Sequence, residues 1–270
     1  SDPRYSDLVL LADFALNADQ AVLHDARETI PGVQELTEAF RSGSPSTKEV
    51  AKMVFTTDRG NYHLLLGLRR HKDWSGIRKR AFAASLESLL GAYRFVVADV
   101  DSDVEGEDQT GRPDIDDRNL MARTTLDRAD VVLVVGEPSV KGMHALTRTL
   151  GRLLSFGISA DSVITVVNRA PRRHKQRVEL SRWFDQLIDT DLRDLAPPLF
   201  VSNMANVDRS ILLGTPLAAA MGKPLALAVR RCVLESNAPA TSPAKAHPQQ
   251  VAPGSLGSFF EDDPQHDHDH

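Results

Sequence analysis

Continuous apolar runs, more than any single motif, constrain what this 270-residue chain can fold into. They fall at Leu8 to Ala12, Tyr62 to Leu66, Arg94 to Ala98, Val131 to Val135, Val163 to Val167 and Leu199 to Ser202. A strand with one wet face alternates apolar with polar residues. Runs of Val and Leu without that alternation predict strands covered on both faces of a parallel sheet. Helix-length stretches lie between them: "VQELTEAF" after Pro31-Gly32, "DWSGIRKRAFAASLESLL" before Gly91, "GMHALTRTLGRLLSF" ending at Gly157, "QRVELSRWFDQLID" and "PLALAVRRCVLE". Strands alternating with helical crossovers predict an α/β domain built on an open, mostly parallel, doubly wound sheet flanked by helices.

That domain is expected over residues 1–235. From residue 236 onward the composition turns to alanine, proline and polar residues, with an isolated Phe259-Phe260 pair and an acidic, histidine-rich end. Such a segment is too poor in apolar surface to build a core and reads as a disordered tail, with a docking role for its end as a second reading. The formal charge of -5 and pI near 6.0 argue against a general nucleic-acid coat but allow a local basic patch. No apolar run is long enough to span a bilayer, and a cytoplasmic location is expected. The single cysteine, Cys232, reads as a buried helix thiol.

Two strand-like runs end in aspartate, "LVLLAD" at Asp13 and "YRFVVAD" at Asp99. Ligands of open α/β sheets sit beyond the carboxyl ends of the strands. An apolar strand followed by aspartate is the form taken by a residue that holds Mg²⁺ beside nucleotide phosphates; it also suits a helix cap or a strand stop. A phosphate loop of the GxxxxGK[ST] form does not occur in the sequence. The one Gly-Lys pair, Gly222-Lys223, precedes a proline and is expected to separate two helical segments.

In order, "LVLLADFALNADQAVLHDA", "SLLGAYRFVVADVDSD", "LDRADVVLVVGEPSVKGMHALTRTLGRL", "SVITVVNRA" and "LFVSNMANVDRSILLGTPLAAA" resemble successive segments of the MinD/ParA family of deviant-Walker P-loop ATPases, nearest its CpaE-like or TadZ-like branch. The resemblance covers roughly Asp7 to Glu235. It implies a P-loop NTPase-like fold, incomplete on its N-terminal side, since the family places a strand, a phosphate loop and a helix ahead of the segment that "LVLLAD" matches. The chain is then either the distal part of a longer protein or a domain that has abandoned nucleotide hydrolysis.

Residue by residue, the resemblance makes Asp13 the first carboxylate of the family's DxD, with Ala15 in place of the second. It makes Asp99 the Walker B aspartate and candidate Mg²⁺ residue, followed by the carboxylate-rich "VDSDVEGED", which is expected to repel a polyanion. Asn168 and Arg169 become candidate contacts to an adenine base, although the residues alone favour Asn168 as a cap of the strand-to-helix turn before Pro171. Contacts from Ser202, Asn203 and Met204 are also suggested. ATP and Mg²⁺ are implied by the resemblance only, and the chain as given is expected not to hydrolyse ATP.

The implied role is a nucleotide switch for positioning or assembling cellular machinery, acting as a homodimer or with a related partner. A non-catalytic scaffold recruiting protein partners is the alternative, and a DNA-binding module the third. The third rests on the basic turn carrying Arg172, Arg173, Lys175 and Arg177. A second basic cluster, "LRRHKDWSGIRKR", holds Trp74, expected either to bury against the sheet or to mark a partner surface. Direct membrane binding is not expected, because no basic apolar stripe closes the chain. Recruitment to nucleoid or membrane through a partner stays open.

Overall fold

The computed structural model describes residues 9–236 apart from 27, 58–61, 189–191, 214 and 216. By internal contacts the chain divides into Ser1–Ser236 and Asn237–His270. The second unit, with the Phe259-Phe260 pair, lies outside the described residues, as do Gly214 and Pro216 of the closing "GTP" segment.

The described chain runs β1 (Val9–Asp13), α1 (Gln20–Leu23), α2 (Val33–Ser42), α3 (Thr47–Ala51), β2 (Phe55–Thr56), β3 (His63–Leu65), α4 (Lys79–Ala92), β4 (Phe95–Asp99), α5 (Glu107–Thr110), α6 (Pro113–Arg118), α7 (Leu120–Leu126), β5 (Val132–Gly136), α8 (Val140–Phe156), β6 (Val163–Ala170), α9 (His174–Leu187), β7 (Leu199–Ser202), α10 (Val207–Leu213) and α11 (Ala219–Ser236). The expected α/β fold is present, as an open, mostly parallel sheet flanked by helices. It is laid down in two portions, a four-stranded one ordered β2-β3-β1-β4 and a three-stranded one ordered β5-β6-β7. Every ladder is parallel except β2 with β3. The two-residue β2 carries no pattern that a sequence reading could find.

Each portion has its own core. Leu10, Ala12 and Leu65 of the first pack with Leu36 of α2 and with Phe82, Leu86 and Leu89 of α4. The rings of Phe14 and Phe82 meet edge to face at 5.0 Å. In the second, Val134, Val163 and Val167 pack with Met143, Leu146 and Leu150 of α8 and with Phe184 of α9. Helix ends are set locally. Ser46 and Glu49 cap α3 reciprocally, the Glu49 carboxylate accepting the Ser46 N–H at 2.8 Å and the Ser46 hydroxyl accepting the Glu49 N–H at 3.4 Å. At α8, Ser139 Oγ accepts the Gly142 N–H at 3.0 Å, and Gly157 closes the helix at φ 108°, where a side chain is disfavoured.

Three expectations are corrected. The stretch from Asp73 onward is not one helix: a 3-10 turn at His71–Gly76 precedes α4, because Ile77 and Arg78 are extended and Ile77 is buried. Gly222-Lys223 does not separate two helices but lies inside α11, where Pro224 stands near the start and forfeits one intrahelical bond. Nor are all strands covered on both faces. Val96 and Ala98 of β4 pack on the first core while Val97 is 56% exposed; Val134 of β5 is buried while Leu133 and Val135 are exposed. Among the described residues no strand pairs with the outer edge of β4 or of β5. Cys232 is buried as expected, its thiol donating to the Asp161 carbonyl at 3.1 Å, and Trp74 packs against the first core.

Candidate functional site

Parallel pairing of β1 with β4 puts Asp13 and Asp99 opposite each other at the carboxyl ends of the two strands. Asp13 is wholly buried. Its carboxylate accepts the backbone N–H groups of Ala15 at 3.3 Å and Gln20 at 3.0 Å. Burial pushes the Asp13 carboxyl up to about 6, against the pull of those two amides and with smaller contributions from the charges of Asp99 and Asp19.

Asp99 is exposed and accepts from the Gln20 side-chain amide at 2.9 Å, while its backbone carbonyl takes the Phe14 N–H at 2.8 Å. Asp101 accepts the Leu16 N–H at 2.6 Å. The loop from Phe14 to Gln20 is therefore folded around three carboxylates by its own amides. Gly67 closes it from behind: a Cβ there would lie 2.5 Å from Ala18 Cβ and 2.8 Å from Asp13 Cγ. Gln20 and Gly67 escaped the sequence reading because neither belongs to a periodic pattern or a spaced motif.

The acidic segment after Asp99 behaves differently from expectation. Asp103 pairs with Arg118 at 2.5 Å, Glu105 with Arg152 at 3.0 Å and Asp108 with Arg123 at 3.3 Å. Arg123 also reaches Asp116 at 3.2 Å and the Val104 carbonyl at 2.7 Å, and its guanidinium lies 5.0 Å from the centre of the Phe156 ring. These carboxylates are held by arginines of α6, α7 and α8. Of the carboxylates from Asp99 to Asp108, only Asp99, Asp101 and Glu107 are left without an arginine partner among the described residues.

Asn168 and Arg169 sit at the end of β6. Arg169 has a positive φ of 53°, its N–H donates to Asn168 Oδ1 at 2.8 Å, and its guanidinium reaches Glu137, just past β5, at 3.3 Å. The β6–β7 ladder shifts register here, and the Asn203 N–H donates to the Ala170 carbonyl at 2.9 Å. Pro138, Arg169, Pro171, Leu180, Trp183 and Asn203 line a cavity of about 620 Å³. Among the described residues no hydrogen bond or ion pair joins the Asp13–Asp99 pair to Asn168 and Arg169. They form two groups along the carboxyl edges of the strands.

The fold has counterparts among solved structures. A ParA family ATPase from Chlorobium tepidum aligns over 84% of this chain and 85% of its own, with 14% identity and a TM-score of 0.57. The cell division ATPase MinD of Pyrococcus furiosus aligns over 87% and 86%, with 14% identity and a TM-score of 0.55. A Cyanothece McdA variant in complex with ATP aligns over 87% and 89%, with 17% identity and a TM-score of 0.56. The fold is that of the ParA and MinD ATPases. No family profile matches the chain, and no curated protein does.

A ParA/MinD fold raises the question of magnesium and nucleotide, and the residues present do not fit that group unaided. Among the described residues no three of His, Cys, Asp and Glu are grouped to hold a metal ion. Asp13 is turned inward with both oxygens engaged by amides, and Ala15 offers no donor atom. Only Asp99 presents an exposed carboxylate at this point, and its Oδ2 is shared with Gln20.

In the basic turn, Arg172, Arg173 and Lys175 are exposed, whereas Arg177 is built into the structure. The Arg177 guanidinium donates to the Pro171 carbonyl at 2.7 Å and to Ser202 Oγ at 2.8 Å, and lies 5.9 Å from the centre of the Phe200 ring. Arg177 is thus committed within the fold, unlike the other three basic residues of the turn. No helix among the described residues is long and apolar enough to cross a membrane.

Proposed function

We propose that this chain is a ParA/MinD-fold positioning or assembly protein that works as a non-hydrolysing scaffold, recruiting protein partners rather than turning over ATP. The observation that carries this reading is the commitment of the strand-end carboxylates. Asp13, Asp99 and Asp101 accept hydrogen bonds from Gln20, Ala15 and Leu16 and so organise their own loop. Hydrolysis needs groups that orient a water and stabilise charge developing on a phosphate. Ala15 supplies a methyl group, and Arg118 and Arg123 are spent on Asp103, Asp108 and Asp116. Membership of the CpaE-like or TadZ-like branch, pairing of two copies and residence in the cytoplasm belong to the same proposal.

The test is steady-state phosphate release by the purified chain with Mg²⁺ and ATP, together with titration of a fluorescent ATP analogue. The expected outcome is no turnover above buffer and no saturable binding. Turnover that disappears in Asp99→Asn would overturn the scaffold reading and restore the nucleotide switch. A second reading, contact with DNA, is favoured by the exposed cluster of Arg172, Arg173 and Lys175.

A further inference from the structure

The basic stretch from Leu68 to Arg80 takes no part in the groups at the strand ends. In the fold it becomes the 3-10 turn His71–Gly76 and the first turn of α4. Arg70, Lys72, Arg78, Lys79 and Arg80 are all exposed. Among the described residues none of the five forms an ion pair, and Arg78 donates only to the Ser75 carbonyl, at 3.4 Å. The start of α4 adds to the imbalance: Arg78 caps it without a side-chain hydrogen bond, its first turn holds no carboxylate, and Lys79 and Arg80 stand at the end of the helix dipole that favours anions. Beside these cations, α2, the 3-10 turn and the start of α4 enclose a groove of about 500 Å³. Buried Thr37, Ile77 and Ala81 form its floor. On its rim Glu35 holds Arg69 at 3.3 Å and Glu38 holds Arg41 at 2.6 Å, which leaves Asp73 as the carboxylate of the groove with no cation paired to it among the described residues.

We infer that this groove and its cationic rim are a docking site for an acidic segment of a partner protein. One apolar side chain of that segment enters the groove over Thr37, Ile77 and Ala81, and the carboxylates on either side of it meet Arg78 and its unpaired neighbours. Charge complementarity selects an acidic occupant, and the floor selects a protein. A phosphodiester backbone is charged at every unit and has no side chain for the floor, and it would run against Glu35, Glu38 and Asp73. A lipid surface asks for apolar side chains that project outward, whereas Ile77 is buried and Trp74 packs against the first core. The inference deepens the partner-recruiting reading and rests on it. The two fail separately, because ATP turnover bears on that reading and not on the affinity of this groove for a peptide.

The experiment titrates the full chain, at low salt, against a fluorescent synthetic peptide in which one leucine stands between two short runs of glutamate. Saturable binding is expected. Replacing the glutamates by glutamine, or the leucine by glycine, should each weaken it by at least about tenfold. Arg78→Glu, Lys79→Glu and Arg80→Glu together should lose the peptide yet raise the unfolding midpoint, because carboxylates suit the start of a helix. The same change of charge at Lys141, Arg148 and Arg182, exposed on α8 and α9, should keep the peptide. No saturable binding, equal binding of the glutamine peptide, or equal loss in both charge-reversed chains overturns the proposal. Duplex DNA or phosphatidylserine vesicles that bind the parent chain more tightly than the peptide does, and are lost with Arg78, Lys79 and Arg80, overturn the assigned class of partner.

Discussion

Asp13 and Asp99 stand opposite each other where β1 and β4 end, one buried and one exposed, and Gln20 binds both, its backbone N–H donating to Asp13 and its side-chain amide to Asp99. Two carboxylates this close are tolerable because the inner one holds its proton more tightly than an ordinary aspartate, and because the loop supplies donors to both.

That arrangement makes stability depend on pH in a definite direction. The Asp13 carboxyl is raised from 3.8 to about 6, chiefly by burial, so the folded chain binds more protons than the unfolded chain between those values. Its contribution is fully present below about pH 4, falls as pH rises towards 6, and is flat above that. Urea unfolding of the parent chain and Asp13→Asn, compared at about pH 4.5 and about pH 7, should show this pH difference shrinking in the variant by on the order of 2 kcal/mol. An unchanged difference counts against a buried, proton-holding Asp13.

Arg123 is the hub of the segment after Asp99, touching Asp108, Asp116, the Val104 carbonyl and the Phe156 ring, with its side chain only 20% exposed. Arg123→Ala should cost about 2–3 kcal/mol, because it leaves the buried Val104 carbonyl and the partly buried Asp116 carboxylate without this donor. Arg123→Lys should recover little, since an ammonium cannot reproduce the planar fork. Chemical denaturation of both variants checks this. Gly106→Ala provides a second probe, because a Cβ there would fall 2.5 Å from the Arg123 guanidinium carbon.

Thr165 on β6 is buried, and its hydroxyl has no hydrogen-bond partner among the described residues. Valine keeps the branched shape and removes the unsatisfied group. Thr165→Val should therefore raise stability by about 1 kcal/mol, read as a higher midpoint of thermal or urea unfolding.

For the DNA reading, neutralising Arg172, Arg173 and Lys175 together should abolish retention on duplex DNA at low salt, and the parent chain's affinity should fall steeply as salt rises. Arg177→Ala should act otherwise, lowering the unfolding midpoint, because its guanidinium holds Pro171 and Ser202. Gel-shift titration across a salt series, paired with unfolding curves, separates the two effects. DNA binding that is indifferent to the triple substitution sinks this reading.

Much of the architecture was legible in the residues. The apolar runs located β1 and β3 to β7 to within a few residues, since a strand buried in a parallel sheet needs continuous hydrophobicity. Strand β2 was invisible because two residues carry no periodicity, and the short helices α5 and α6 were hidden in a charged stretch whose order comes from ion pairs with distant arginines. The candidate residues Asp13, Asp99, Asn168 and Arg169 were found as strand ends. Their partners were not, because Gln20, Gly67 and Glu137 meet them only through crossovers and loop closure.

The sequence by itself determined the alternation of strands and helices, and with it the class of sheet, because hydrophobic periodicity is a local property of the chain. Tertiary structure decided which charges remain free. It turned Asp13 inward, spent Asp103, Glu105 and Asp108 on arginines, committed Arg177 to Pro171 and Ser202, and left the Val97 and Val135 side chains exposed. The reason is physical: whether a carboxylate or a strand edge is satisfied depends on groups brought to it from far along the chain, and no local pattern records which of them arrive.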